Sequence, residues 1–144
     1  MGMARRIMKQ NGDAVPEIDL LKVLVVANSP INRIVMAKIV ERSGLQPMVG
    51  SPETAATMLQ PLIPGAVILD GGADNRECDC LMPAVAAARR GAGGTLPAVI
   101  LLSNRIGTPH SLGLPEVVDV VVAKPITPEK LQPVVERLIT LARA

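Results

Sequence analysis

The stretch Ala66-Val67-Ile68-Leu69-Asp70-Gly71-Gly72 decides how this chain folds. Four apolar residues run unbroken into one acid, and two glycines follow. An unbroken apolar run of this length reads as a strand buried on both faces, as in a parallel sheet covered by helices. A lone carboxylate is costly inside a core. Asp70 therefore belongs where the strand surfaces, at its C-terminal edge, and in open parallel sheets that is the edge where ligands and chemistry collect. Three further apolar runs end in the same way. Val23-Leu24-Val25-Val26 leads into Ala27-Asn28-Ser29, Val99-Ile100-Leu101-Leu102 into Ser103-Asn104, and Val120-Val121-Val122-Ala123 into Lys124-Pro125.

Helical segments separate these runs. Ser29-Pro30, Ser51-Pro52-Glu53 and Thr127-Pro128-Glu129 each set a capping hydroxyl before a proline suited to the first helical position. Behind the first of them, Ile31, Ile34, Val35, Ile39 and Val40 recur at helical spacing and predict a buried stripe, with Gly44 as the stop. The second helix is expected to end near Gln60. A third is expected over Cys80–Arg90, with Pro83 tolerable in its first turn. Arg105–Pro115 reads as irregular, with at most a helical turn near His110–Leu112. Gln46–Gly50 and Val117–Ala123 complete the strands.

Residues 1–20 show no clean period and read as an N-terminal extension, with room for one short helix over Ala4–Gln10. Residues 21–144 form the domain. Strands alternating with helices predict an α/β fold, a doubly wound five-stranded parallel sheet of flavodoxin-like order 2-1-3-4-5. That order makes Asn28 and Asp70 neighbours and sets Ser103 and Lys124 beside them.

Composition narrows the function. The 144 residues contain no Phe, Tyr or Trp, so the core is aliphatic and the chain lacks platforms for stacking bases. A formal net charge of +2 is too small to imply a polyanion partner, so no nucleic acid is expected. No apolar run is long enough to span a bilayer and the N-terminus lacks the apolar core of a signal peptide, so no membrane is expected and the cytoplasm is the default compartment. Cys78 and Cys80 flank Asp79, a spacing too strained for a disulfide, and read as reduced thiols.

The four strand ends, in this order and spacing, resemble the receiver domain of two-component response regulators, from Lys22 to the C-terminus. The likeness rests on Val23–Val26 followed by Ser29-Pro30-Ile31-Asn32-Arg33, on Val67-Ile68-Leu69-Asp70, on Leu101-Leu102-Ser103 and on Ala123-Lys124-Pro125-Ile126-Thr127. In such a site an aspartate attacks a phosphoryl group in line. A divalent ion and a lysine offset the charge on its oxygens, and a hydroxyl hydrogen-bonds one of them. The resemblance makes Asp70 the phosphoacceptor position, Ser103 the hydroxyl switch position, and Lys124 and Pro125 the family's lysine-proline turn.

The chain also departs from that family. Ala27 and Asn28 stand where receivers usually place two acids to hold magnesium. A cation left with Asp70, Asn28 and the Gly72 backbone is held weakly or not at all. Met82-Pro83 looks like the family's Met-Pro, displaced by an insertion over Gly71–Asp79, whose acids Asp74, Glu77 and Asp79 read as solvated. Val121 stands where receivers carry the aromatic that swings on activation, so that switch is lost.

The resemblance implies a stand-alone phosphorelay signalling domain that is degenerate, is not an enzyme, and acts through protein contacts. Its partners would be a histidine kinase, a phosphotransferase, another signalling protein or a second copy of itself. The expected docking face is the fourth helix, fifth strand and fifth helix. The chain stops at the last helix, so no DNA-binding output domain is expected. Two alternatives stay open: a phosphorylation-competent single-domain regulator that takes phosphate on Asp70 from a histidine kinase, and an unrelated small α/β nucleotide-binding protein.

Overall fold

Alternating apolar strands and capped helices place most aliphatic side chains of the five-stranded sheet in one of two layers. A computed structural model describes residues 7–8, 14–15 and 17–143. In chain order the elements are β1 (Ile7–Met8), β2 (Ala14–Val15), β3 (Glu17–Val26), α1 (Pro30–Arg42), β4 (Gln46–Gly50), α2 (Pro52–Met58) and β5 (Leu62–Asp70). A 3-10 turn (Asp79–Leu81) then leads into α3 (Met82–Gly91), followed by β6 (Ala98–Ser103), β7 (Val120–Ala123) and α4 (Pro128–Arg143). The main sheet is parallel throughout, in the order β4-β3-β5-β6-β7. Counted along its own five strands, this is the expected 2-1-3-4-5.

Successive residues of a strand face opposite ways. Val23, Val25, Ala66, Ile68, Ile100 and Leu102 accordingly pack under α1 and α4, against Met36, Ile39, Val40, Leu131, Val135 and Ile139. Leu24, Val26, Val67, Leu69, Val99 and Leu101 pack on the other face, against Ala55, Leu59, Leu81, Met82 and Val85. Both layers are aliphatic, as a chain without aromatics requires.

The helix starts fall where the capping residues set them. Ser29 Oγ accepts from Asn32 N at 3.2 Å. Ser51 and Thr54 form a reciprocal capping box. Leu131 N donates to the Thr127 carbonyl at 3.0 Å.

Several expectations need correction. β3 begins at Glu17, inside the stretch read as an N-terminal extension, because Glu17, Ile18 and Asp19 pair with Leu62, Ile63 and Pro64 of β5. The register then shifts between Asp19 and Val23. The shift depends on Gly65, where an added Cβ would lie 2.6 Å from Ile139 Cδ1 and 2.8 Å from the Leu20 carbonyl oxygen. A backbone oxygen cannot swing aside as a side-chain tip can. Gly65→Val is expected to lose about 1–3 kcal/mol by overpacking, read from its urea midpoint. An unchanged midpoint would show that the irregularity at Leu20 yields freely.

The stripe expected on α1 is only partly buried. Ile31 and Ile34 are 72% and 61% exposed, while Met36, Ile39 and Val40 face the core. The apolar residues of this helix wrap around it, and it covers only one flank of the sheet. The segment between β6 and β7 contains no helix, so the expected docking face lacks its fourth helix. Gly107, Pro109, Gly113 at φ +66° and Pro115 interrupt it too often for helical hydrogen bonds to accumulate. β7 accordingly starts at Val120, three residues later than expected.

Of the helix expected over Ala4–Gln10, Ile7 and Met8 are instead in a strand that pairs antiparallel with Ala14–Val15. The rest of that span lies outside the described residues. Among the described residues, no helix is long and apolar enough to cross a membrane.

Candidate functional site

Asp70 ends β5 at the C-terminal edge of the sheet, between the ends of β3 and β6. Its side chain is 5% exposed. A carboxylate so enclosed must find donors, and three converge on it. Lys124, just past β7, places Nζ 2.6 Å from Oδ1. The Gly72 amide donates to Oδ1 at 3.0 Å. Asn32 Nδ2 donates to Oδ2 at 2.6 Å.

Each donor is held by local structure. Gly72 sits at φ +71°, a left-handed conformation that suits glycine and turns its amide back onto Asp70. Lys124 N donates to the Ser103 carbonyl at 2.8 Å, which fixes the root of the lysine against β6. Asn32 lies in the first turn of α1, where the Ser29 cap points that turn at the strand ends.

Burial pushes the Asp70 carboxyl up. The Lys124 ammonium, the Gly72 amide and the Asn32 amide outweigh it and hold the group below its ordinary value of 3.8. Asp70 is therefore a fixed anion at neutral pH.

The Gly71–Asp79 loop folds back over this pair. Gly71 N donates to the Leu102 carbonyl at 2.9 Å and Glu77 N to the Gly71 carbonyl at 3.3 Å. Cys78 Sγ donates to the Asp70 carbonyl at 3.3 Å. Burial, then the neighbouring Asp70 charge, pushes that thiol up to about 12, so it serves here as a neutral donor. Cys78 and Cys80 are both free. Glu77 keeps its exposure but is tethered, because Asn28 Nδ2 donates to its Oε1 at 3.0 Å. Asp74 and Asp79 turn away, toward the backbone and guanidinium of Arg76.

Other candidates from the sequence are placed less directly. Ser103 is fully buried at the end of β6, and its Oγ accepts from Arg105 N at 2.9 Å. No hydrogen bond joins it to Asp70 among the described residues. Val121 is half-buried on β7, opposite Leu101. Ala27 is fully buried at the end of β3 and offers only a methyl group. Pro125 is exposed beyond Lys124, across a cis peptide bond. The Gly72 carbonyl accepts from Asn104 Nδ2 at 3.3 Å.

Magnesium takes near-octahedral oxygen ligands. Here both oxygens of Asp70 already face nitrogen donors, and no group of three metal-ligating side chains occurs among the described residues. As arranged, the residues do not fit that ion.

Asn32 is the residue sequence reasoning missed. Its signal was the cap: with Ser29 fixed as the N-cap, the third helical residue faces the strand ends, and at that position the chain has an amide.

No family model and no curated protein matches this sequence. Solved structures do. A response regulator from Thermotoga maritima superposes with a TM-score of 0.64 at 19% identity, covering 83% of this chain and 97% of that one. The signal receiver domain of a histidine kinase from Syntrophus aciditrophicus gives 0.64 at 22% identity, covering 85% and 92%. The receiver domain of a sensor histidine kinase from Pseudomonas aeruginosa, solved with a magnesium ion in its active-site cleft, gives 0.60 at 18% identity, covering 85% and 99%. This chain has the fold of the receiver domains of two-component response regulators.

Proposed function

We propose that this chain is a receiver-type signalling domain of a two-component system, with Asp70 at the phosphoacceptor position. Its acidic pocket is degenerate, and its output is contact with other proteins. One observation carries the reading: every donor that reaches the Asp70 carboxylate is a nitrogen of this chain. Lys124 and Gly72 engage Oδ1 and Asn32 engages Oδ2. In-line attack on a phosphoryl group needs a free carboxylate oxygen and positive charge on the phosphoryl oxygens. Here Asn32 covers Oδ2, the oxygen that Lys124 and Gly72 leave open, Lys124 is committed to the resting anion, and Ala27 supplies no ligand.

In this reading Ser103 and Val121 keep the places of the hydroxyl and aromatic switch without the switch. The domain needs no cofactor, and magnesium binds at most weakly through Asp70, Asn28 and the Gly72 backbone. It is not an enzyme and works in the cytoplasm. Its partners are a histidine kinase, a phosphotransferase or another signalling protein, and a second copy of the chain.

The test is incubation with acetyl phosphate and magnesium, followed by intact mass. The unmodified mass is expected. A stoichiometric phosphoryl adduct that disappears in Asp70→Ala would establish the rival reading, a working response regulator. The rival draws its support from the 2.6 Å lysine–aspartate pair at the strand ends.

A further inference from the structure

The solvent side of α1 is built unlike the outside of an ordinary surface helix. Ile34 is 61% exposed, and the adjoining edge strand β4 adds Val49 at 44%. With Pro30, Arg33, Ala37, Lys38 and Glu41 they line one shallow groove. Single exposed apolar residues need no explanation, but a contiguous apolar strip with a charged rim marks a docking surface.

The order of residues along the strip indicates its occupant. At 100° per residue, Pro30, Arg33, Ile34, Ala37 and Glu41 fall within about 100° of arc. Arg33 and Glu41 stand four residues either side of Ala37, each about 6 Å along the axis from it. They are too far apart to pair within one helix, and neither has an ion-pair partner among the described residues. Two α1 helices laid antiparallel about a two-fold axis at Ala37 bring Arg33 of each copy level with Glu41 of the other. The pair forms twice. The small Ala37 at the crossing lets the helix axes approach, and Ile34 of each copy lies along the aliphatic stem of Glu41 of the other. This is the self-complementarity an isologous interface requires, residue i meeting j and j meeting i.

We propose that the α1–β4 face is a two-fold homodimer interface, with α1 packed antiparallel on its copy and reciprocal Arg33–Glu41 ion pairs. The proposal specifies the self-association named under the proposed function. It does not depend on the chemistry at Asp70, which intact mass tests separately.

The full chain is examined by sedimentation equilibrium at low salt, with circular dichroism to confirm that each variant is folded. Wild type is expected to dimerise reversibly. Arg33→Glu and Glu41→Arg are each expected to weaken the dimer tenfold or more. The combined variant Arg33→Glu/Glu41→Arg is expected to recover most of that loss, because the exchanged charges meet again across the axis. Ile34→Lys is expected to abolish dimerisation while leaving the monomer folded. A wild type that stays monomeric at millimolar concentration would overturn the proposal and leave the strip to a different partner. A dimer indifferent to Ile34→Lys would overturn it too, as would a double variant weaker than either single one.

Discussion

Lys124→Met is expected to cost the protein about 3–5 kcal/mol of folding stability, read by urea unfolding at neutral pH. The size follows from what is left behind. Removing one partner of an enclosed ion pair leaves the other as an uncompensated charge, and Asp70 is 5% exposed at its side chain. Gly72 and Asn32 remain as donors, so the anion is not abandoned, and the lower end of the range is the better expectation. Lys124→Met combined with Asp70→Asn should recover most of the loss, because the second change removes the stranded charge.

The pH dependence supplies a sign that simple loss of packing would not. In the native protein Asp70 is held below 3.8, so the unfolded chain takes up its proton first as the medium is acidified. The pair's contribution is fully present above the ordinary carboxylate value and is lost as pH falls through the lower native one. Without Lys124 the push from burial faces weaker opposition, and the native carboxyl moves up. The variant should then recover stability relative to wild type on going from about pH 7 to about pH 4. A loss under about 1 kcal/mol with no difference in pH slope would mean that the pair is worth no more than a surface salt bridge.

The sheet was legible in the sequence because its signals are local and repeat. Runs such as Val67–Leu69 and Ile100–Leu102 are apolar on both sides, and Ser29, Ser51 and Thr127 mark helix starts by the same chemistry. The approach of Asp70 and Lys124 followed from strand order alone, since both lie at C-terminal strand ends. What escaped the sequence depends on contacts between distant residues. Ile31 and Ile34 have helical spacing, but spacing does not say which side of a helix the sheet will cover. Glu17–Asp19 became strand only because Leu62–Pro64 extends beside it and Gly65 admits the Leu20 backbone at the register shift. Glu77 looked like any loop acid until the Cys78 thiol and the Gly71 carbonyl brought it back over Gly72. Asn32 looked like part of a helix start, yet its amide donates to the Asp70 carboxylate at 2.6 Å.

Ala27→Asp together with Asn28→Asp is expected to make the stability of this site depend on magnesium. Ala27 is fully buried at the end of β3, beside the strand that carries Asp70. Two added carboxylates there, with Asp70 and Glu77 close by, repel one another and resist desolvation, so the metal-free variant should be less stable than wild type. They also supply the hard oxygen ligands that the present residues lack. Magnesium at a hundred times its dissociation constant should then restore about 2.7 kcal/mol to the variant. The wild-type unfolding midpoint should not move with magnesium.

Asn32 adds a second step to the same experiment. Its amide covers Oδ2, the Asp70 oxygen that Lys124 and Gly72 leave open to attack a phosphoryl group, so the two acids alone should yield slow labelling by acetyl phosphate. Adding Asn32→Ala frees that oxygen and should raise the labelling rate, while Asp70→Ala in the same background abolishes the adduct. If the wild-type midpoint rises with magnesium as steeply as the variant's, the pocket already holds the ion. Asn32 would then be a donor that gives way when the ion binds.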